Sequence, residues 1–306
     1  MDSRMDGHLR KNKTVSFEVY PPNTPQGICH LYDTCRELYE LSPDFVSVTF
    51  GAAGASQLKT EQVVQHLRAK EIPIAPHLSC VNMTKDRLKQ LLEKYMLLGI
   101  KRLVVIRGDF PNNQVPDNQD FRYASELITL IRHLSDDYFH ISVAAYPEFH
   151  LESKCSKVDL AYFRHKVTAG ASTAITQFFF NADAYFRFKE SCDALGVTTP
   201  IIPGIMPIQN YERLVRISNM CGAEIPRWLR KRLESLVSDD YSFKQFGIDV
   251  ITTLCEQLLL GGAPGLHFYA LNQVDPVRII YNNLFVSENK LSKNYSDNFS
   301  NKVLIS

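Results

Sequence analysis

Glu18 is the first residue of the chain whose type and setting could support acid–base chemistry. It lies in the segment SFEVYPP, among aromatic and proline residues. A carboxylate that is desolvated in such surroundings is predicted to have a raised pKa, which suits a general acid near neutral pH. A carboxylate at the rim of the fold, paired with a lysine or an arginine, is an equally good interpretation.

The tripeptide Arg107-Gly108-Asp109 places an anion-binding fork and a carboxylate on either side of a glycine. Glycine lets the backbone approach a ligand closely, and a guanidinium binds carboxylates and phosphates through two parallel hydrogen bonds. These residues could therefore hold a charged ligand. An ion pair or a turn at the end of a strand is the alternative.

Gln177 and Tyr269 are candidates for holding a planar heterocycle. Gln177 precedes three phenylalanines, and Tyr269 lies in HFYALN. A side-chain amide donates and accepts hydrogen bonds at once, and an aromatic ring can stack on a flat ligand. Packing in the core, or sealing of a rim, would explain the same residues without a ligand.

A metal centre and a phosphate-binding loop are not predicted. His77 and His150 are isolated in the sequence, and the chain has no HExxH or HxH pattern. A metal site would need a converging set of ligands. The chain also lacks GxGxxG, GxxxxGKS/T and GxSxG segments, so a Rossmann domain, a P-loop and a hydrolase nucleophile elbow are unsupported.

The candidate residues lie at or near the ends of β-like runs, which helical stretches separate. The runs span 14–20, 44–50, 73–79, 102–109, 140–148, 174–180, 200–206 and 265–272. This alternation predicts an α/β fold, namely a closed (β/α)8 TIM barrel, in which the carboxyl ends of all strands meet at one face. The side chains predicted to converge on one pocket there are Glu18, Thr49, His77, Arg107, Asp109, Tyr146, Gln177 and Tyr269.

The junctions between the runs support the barrel. Thr84 is predicted to cap the third helix and Gly99 to end it in a left-handed conformation. Glycines recur in the same position before later strands, at Gly170, Gly196 and Gly261. Extra helices are predicted between strands seven and eight, over 209–220, 225–237 and 241–260. The loop 110–120, rich in Asn and Pro, is predicted to be a binding loop or lid.

Composition and length indicate one cytoplasmic domain. The 306 residues include 34 basic and 33 acidic ones, which gives no electrostatic footprint for nucleic acid or membrane. The seven cysteines show no CxxC spacing and are predicted to be reduced. No secretory signal or long apolar run is visible. We expect a flexible leader over 1–12, a catalytic barrel over 13–285 and a polar tail over 286–306.

Taken in order, these segments resemble the methylenetetrahydrofolate reductase family. The matching segments are SFEVYPP (16–22), DFVSVTFGA (44–52), APHLSC (75–80), RLVVIRGD (102–109), YASELI (123–128), ISVAAYPEFH (141–150), AITQFFF (174–180), IIPGIMPI (201–208) and HFYALN (267–272). The resemblance implies an FAD-dependent oxidoreductase of one-carbon metabolism and methionine biosynthesis. It would reduce 5,10-methylenetetrahydrofolate to 5-methyltetrahydrofolate with NADH or NADPH, by a ping-pong hydride relay. A cytoplasmic homo-oligomer without a C-terminal regulatory domain is expected.

The resemblance also assigns roles by position. Glu18 is implied to be the general acid, and Asp109 the catalytic carboxylate beside the flavin that also binds the pterin. The other implied substrate-binding residues are Gln177, Tyr211 and Tyr269. The implied FAD-binding residues are Thr49, His77, Arg107, Gly108, Asp109, Tyr123, Ala124, Tyr146, His150, Asp159 and Lys166.

The chain departs from the family pattern at a few positions. Phe50 replaces a Tyr or Trp, Tyr162 and His165 replace an Asn and an Arg near the dinucleotide, and Gln273 replaces an Arg that could engage a folate carboxylate. Two other functions remain open. One is a barrel lyase or aldolase that uses Lys166 as a Schiff base, and the other is a flavin- or folate-binding protein without turnover.

Overall fold

The chain alternates strands and helices from end to end. In its computed structural model the described residues are 12–50, 57–109 and 119–286. Within them the strands are β1 (Thr14–Val19), β2 (Phe45–Val48), β3 (Ile74–Ser79), β4 (Arg102–Ile106), β5 (His140–Ala145), β6 (Thr173–Thr176), β7 (Ile201–Ile202), β8 (Gly204–Ile205) and β9 (Gly265–Tyr269). The helices are α1 (Pro25–Tyr39), α2 (Gln57–Ala69), α3 (Lys85–Leu97), α4 (Ala124–Ser135), α5 (Ser156–Thr168), α6 (Ala182–Ala194), α7 (Tyr211–Cys221), α8 (Arg227–Leu236), α9 (Asp240–Leu260) and α10 (Asp275–Phe285).

All strands pair in parallel, in the order β7-β6-β5-β4-β3-β2-β1-β9-β8. The predicted seventh strand, 200–206, is split by Pro203 into β7 and β8, because proline has no N–H for the ladder. Its first half pairs with β6 and its second half with β9. The sheet thus comes round to itself and forms a nearly closed barrel, which confirms the predicted fold.

The core lies in two places, as a barrel requires. Strands β2 and β3 are buried along their whole length, as expected for parallel strands that are covered on both faces. Phe45, Ala75, Val104 and Ile175 form a small apolar cluster of their own inside the ring of strands. The larger cluster packs the outer face of the sheet against the helices. The barrel is therefore filled by side chains rather than open.

Helix ends follow the predicted chemistry with one exception. Thr84 Oγ1 accepts a hydrogen bond from Arg87 N at 3.2 Å, and Gly99 has φ +67° after α3, so both predictions are confirmed. Gly261 does not take the left-handed conformation, since its φ is −75°. The next residue, Gly262, takes it instead, with φ +94°.

The three extra helices predicted between the last strands are confirmed as α7, α8 and α9. Several strands are shorter than predicted. The fifth ends at Ala145 rather than 148, and the sixth at Thr176 rather than 180, because the following residues leave the ladder to form rim loops.

The predicted leader and tail lie almost wholly outside the described residues, as does most of the loop 110–120. No described helix has both the length and the apolar character that a membrane span requires.

Barrel closure can be tested at Gly204. A Cβ added there would overlap the carbonyl oxygen of Thr176 and the ring of Tyr269. We expect Gly204→Ala to lower the free energy of unfolding by about 2–3 kcal/mol, because the strand backbone cannot move aside. Urea denaturation would measure the change.

Gly196 provides the matched control for this substitution. Its φ is +70° and no atom lies within 4 Å of an added Cβ. Asn tolerates this conformation, so Gly196→Asn should change stability by less than about 1 kcal/mol. Equal losses in the two variants would contradict the assigned role of Gly204.

Candidate functional site

Glu18 stands at the centre of a polar cluster inside the barrel. Its Oε2 atom lies 3.3 Å from Nε2 of His77 and 3.4 Å from Nε2 of His267. The hydroxyl of Ser47 donates to the same oxygen at 3.5 Å. The Glu18 side chain is 19% exposed, whereas His267 is fully buried. One carboxylate oxygen thus contacts two imidazoles.

Strand register explains why these residues meet. In the β1–β9 ladder Ser16 stands opposite His267 and Glu18 opposite Tyr269. Ser16 and Glu18 are two residues apart and therefore face the same side of the sheet. The hydroxyl of Ser16 lies 2.7 Å from Nδ1 of His267. This contact fixes the ring so that its other nitrogen is directed at the carboxylate.

The pKa of Glu18 differs from the prediction. Burial raises it, as expected, but the charges and hydrogen bonds of His77 and His267 outweigh burial and lower the pKa to about 2. The predicted raised pKa was therefore wrong. Its cause is a pair of imidazoles contributed by β3 and β9, which are remote from Glu18 in the sequence.

A cavity of about 290 Å³ opens beside the ends of β4 and β5 and the first turns of α4 and α5. Seven of the residues predicted to bind FAD line it. They are Arg107, Tyr123, Ala124, Tyr146, His150, Asp159 and Lys166. The structure therefore brings most of this predicted set to one place.

Lys166 and Asp159 are the ionisable pair on the α5 side of the cavity. The ammonium of Lys166 donates to the carbonyl of Ala144 at 2.5 Å. Burial lowers the pKa of Lys166 to about 8, although the charge of Asp159 opposes this shift. Burial also raises the pKa of Asp159, with Lys166 and His150 acting in the opposite direction. Burial thus disfavours the charged form of both groups, and the attraction between them partly offsets this effect.

Arg107 forms an ion pair with Glu152, a partner that was not predicted from the sequence. Its Nη1 and Nη2 donate to the two carboxylate oxygens of Glu152 at 2.6 and 2.7 Å. Hydrogen bonding to Glu152 raises the pKa of Arg107, and the same contact lowers the pKa of Glu152. The alternative of an ion pair at the strand end thus holds for Arg107, with Glu152 as the partner.

Aromatic rings also line the cavity. Tyr123 and Tyr162 stack with ring centroids 5.6 Å apart and an angle of 19° between their planes. Tyr146 and His150 meet edge to face at 4.7 Å. Flat apolar faces beside a guanidinium and an ammonium suit a ligand that joins planar rings to anionic groups.

Tyr269 connects the polar cluster with the cavity. Its hydroxyl donates to the carbonyl of Thr176 at 2.7 Å, which places it beside Gln177. Burial raises the pKa of Tyr269, and the nearby Glu18 and Tyr146 add to the shift. Because Tyr146 lines the cavity, Tyr269 lies near both the cavity and the Glu18 cluster. The cluster and the cavity therefore share one rim of the barrel.

Two of the predicted substrate-binding residues make hydrogen bonds within the protein. Gln177 Oε1 accepts a hydrogen bond from the N–H of Phe178 at 3.0 Å. The hydroxyl of Tyr211, at the start of α7, donates to Glu234 on α8 at 2.8 Å. The side-chain N–H groups of Gln177 and the acceptor capacity of the Tyr211 hydroxyl are not used by these contacts.

Thr49, Gly108 and Asp109 lie at strand ends but do not line the cavity. The carbonyl of Thr49 accepts from the hydroxyl of Thr60 at 3.0 Å. Gly108 has φ +77°, and Asp109 is exposed. Within the described part of the chain, no group of three His, Cys, Asp or Glu side chains could hold a metal ion.

Three residues of the site were not predicted from the sequence, namely Ser16, His267 and Glu152. The period of two along a strand could have found the first two, since each lies two residues before a predicted site residue. Glu152 gave no such signal, because it lies in the loop between β5 and α5, where spacing does not fix the direction of a side chain.

Known proteins resemble the chain over almost its whole length. The family model for methylenetetrahydrofolate reductase matches residues 4–285. The 5,10-methylenetetrahydrofolate reductase of Escherichia coli is 36% identical over 262 residues, which cover 85% of this chain and 87% of that protein. That of Pectobacterium carotovorum is 35% identical over 269 residues, covering 87% and 88%. Methylenetetrahydrofolate reductase (NADH) 1 of Arabidopsis thaliana is 33% identical, covering 91% of this chain but 49% of its own length.

Solved structures support the fold alone. A protein from Clostridium thermocellum, described as binding two copies of 5-methyl-5,6,7,8-tetrahydrofolic acid, has a TM-score of 0.64 at 15% identity, covering 90% of this chain and 96% of that one. Oxaloacetate acetylhydrolase has a TM-score of 0.52 at 12% identity, covering 89% and 81%.

The cause of the low Glu18 pKa can be tested directly. With both imidazoles replaced, as in His77→Gln with His267→Gln, only burial should remain to act strongly on the carboxyl, and its pKa should rise above the ordinary value. Infrared spectroscopy at pH 5 should show a protonated carboxyl band in this variant but not in the unaltered protein. The band should disappear when Glu18→Gln is added. A protonated Glu18 in the unaltered protein at pH 5 would contradict the account.

Proposed function

We propose that this protein reduces 5,10-methylenetetrahydrofolate to 5-methyltetrahydrofolate, because the chain belongs to the methylenetetrahydrofolate reductase family. Electrons would come from NADH or NADPH and pass through bound FAD in a ping-pong relay. One observation carries the proposal: the partly buried carboxylate Glu18 with its imidazoles, and a cavity lined by aromatic rings and cations, lie at one rim of the barrel. The first would act on the folate and the second would hold the flavin.

The cavity fits a flavin dinucleotide by the chemistry of its lining. The N-terminus of α4, at Tyr123 and Ala124, opens onto it, and helix N-termini favour phosphate groups. Arg107 would bind the diphosphate, and Tyr146 and His150 would contact the ring system. Bound FAD would supply hydride transfer, while the protein supplies orientation and charge.

Lys166 and Asp159 would adjust the charge around the flavin. The ammonium of Lys166 has a pKa of about 8, so an anionic ligand nearby would favour its protonated form. We assign Thr49, His77 and Gly108 to the remaining flavin contacts at the neighbouring strand ends. All of these residues lie at or beside the rim where Glu18 stands.

The folate would bind between Glu18 and the flavin. Asp109 and the amide of Gln177 would bind the pterin, and Tyr211 and Tyr269 would contact its rings or side chain. Burial of Tyr269, close to both Glu18 and Tyr146, supports the placement of a substrate across the two centres. Gln177 would exchange its contact with the N–H of Phe178 for one with the pterin.

Glu18 would deliver a proton to a nitrogen of the five-membered ring that carries the methylene group. Proton transfer opens this ring to an iminium, whose carbon then accepts the hydride. With a pKa of about 2, the free carboxylate is ionised at neutral pH, so it must receive its proton before or during substrate binding. His77 and His267 are placed to pass one to Oε2. Exclusion of water by the substrate would favour protonated Glu18.

A second function is favoured by one observation. Burial lowers the pKa of Lys166 to about 8, and a lysine with a depressed pKa can form a Schiff base with a carbonyl substrate. A barrel lyase or aldolase would use it in this way. Treatment with borohydride in the presence of carbonyl substrates would trap the adduct, which we do not expect for a reductase.

The visible spectrum tests the proposed relay. The gently purified protein should be yellow, should lose its flavin absorbance when NADH or NADPH is added without oxygen, and should regain it with methylenetetrahydrofolate. A protein that binds flavin but shows no bleaching would be non-catalytic. A colourless protein that cannot be loaded with flavin would contradict the proposal.

The acid role of Glu18 can be separated from flavin binding. In Glu18→Gln we expect reduction of the flavin by the nicotinamide to continue, while reoxidation by methylenetetrahydrofolate slows by about 10²–10⁴-fold, the usual contribution of a positioned acid. Stopped-flow absorbance of each half-reaction would measure this.

Glu148 offers the control. It lies on the segment after β5 and accepts a hydrogen bond from the N–H of Glu224 at 2.8 Å, an interaction that Glu148→Gln can keep. This variant should leave both half-reactions unchanged. If the two half-reactions fell equally in Glu18→Gln, the acid would have been wrongly assigned.

A further inference from the structure

Glu152 occupies the position in the cavity where an anionic ligand would meet Arg107. It lies in the loop between β5 and α5, and its backbone N–H donates to Nδ1 of His150 at 3.2 Å. The next residue, Ser153, donates its N–H to the carbonyl of His150 at 2.8 Å. These contacts hold the loop so that Glu152 lines the cavity together with Arg107 and His150.

All three nitrogens of the Arg107 guanidinium already donate a hydrogen bond within the chain. Nη1 and Nη2 bind the two oxygens of Glu152 at 2.6 and 2.7 Å, and Nε donates to the carbonyl of Gly108 at 3.3 Å. Glu152 thereby occupies the edge formed by Nη1 and Nη2, which could otherwise bind two oxygens of a phosphate group. The two cannot bind this edge together.

Lys166, the other cation that lines the cavity, should bind anions more weakly than Arg107 does. Lys166 already donates to the carbonyl of Ala144, and burial lowers its pKa to about 8. Arg107 therefore carries the fixed positive charge at this place. A group that neutralises Arg107 therefore weakens the attraction of the cavity for an anion.

The Arg107–Glu152 ion pair can open at a modest cost in free energy. The side chain of Glu152 is 35% exposed and that of Arg107 27% exposed. Ion pairs in contact with water are held weakly, since water solvates the separated charges. Glu152 can therefore move into solvent without leaving a buried charge behind.

We infer that Glu152 competes with the phosphate groups of the cofactor for Arg107, and thereby sets how tightly the cavity holds an anionic flavin. The inference rests on the proposed flavin binding. It makes Glu152 a residue that tunes affinity rather than one that reacts. Removal of its charge should strengthen binding of a phosphorylated flavin and leave a flavin without phosphate unaffected.

The test compares FAD with riboflavin, which has the same ring but no phosphate. The full chain, freed of flavin, is titrated with each compound, and quenching of flavin fluorescence gives the dissociation constants. In Glu152→Gln the dissociation constant for FAD should fall about fivefold, the scale of a partly exposed ion pair. The constant for riboflavin should stay the same.

Two further variants make the result specific. Glu148→Gln removes an acid from the same segment without touching Arg107, and it should leave both constants unchanged. In an Arg107→Met background, Glu152→Gln should have no further effect on FAD, because the competed group is gone.

Several results would overturn the inference. Weaker or unchanged FAD binding in Glu152→Gln would show that Glu152 positions Arg107 or is irrelevant to it. Equal shifts for FAD and riboflavin would show an effect on the fold of the loop. If the unaltered protein bound neither flavin, the proposed function would fail, whereas normal flavin binding with an unaffected Glu152→Gln variant would refute this inference alone.

Discussion

The site depends on one partly buried carboxylate that two imidazoles hold in place. A charged group inside a barrel is costly unless it is paired and hydrogen-bonded. Glu18 meets that requirement through His77 and His267, which approach the same oxygen at 3.3 and 3.4 Å. Because these partners come from β3 and β9, the cluster forms only when strands from both ends of the chain are in register. The Glu18 cluster therefore depends on closure of the barrel.

Closure itself rests on a proline and a glycine in the seventh run. Pro203 ends pairing with β6, and Gly204 begins pairing with β9. Gly204 N donates to the hydroxyl of Thr176 at 2.9 Å, and Tyr269 binds the carbonyl of the same residue. The seam of the barrel thus lies against Tyr269, between the Glu18 cluster and the cavity. A small change at the seam would move both centres.

Local chemistry was enough to predict the architecture. The alternation of runs, the Thr84 cap and the left-handed Gly99 depend on neighbours in sequence, and all were confirmed. The same reasoning failed for the pKa of Glu18, since it considered burial and the adjacent SFEVYPP residues only. The deciding imidazoles lie on other strands. His77 was predicted to converge on the same pocket, but the effect of its charge on Glu18 was not considered, and His267 was not chosen although it lies two residues before Tyr269. Arg107 shows the same limit, because its partner Glu152 is in a loop.

In the proposed function the rim of the barrel is a single site with two halves, of which one would transfer a proton and the other would hold the flavin. A crystal structure of the protein loaded with FAD tests this most directly. The account predicts that the flavin ring lies between the cavity residues Tyr146 and Lys166 and the carboxylate of Glu18, with one ring face open to a folate. A flavin bound away from this rim, or separated from Glu18 by protein, would contradict it.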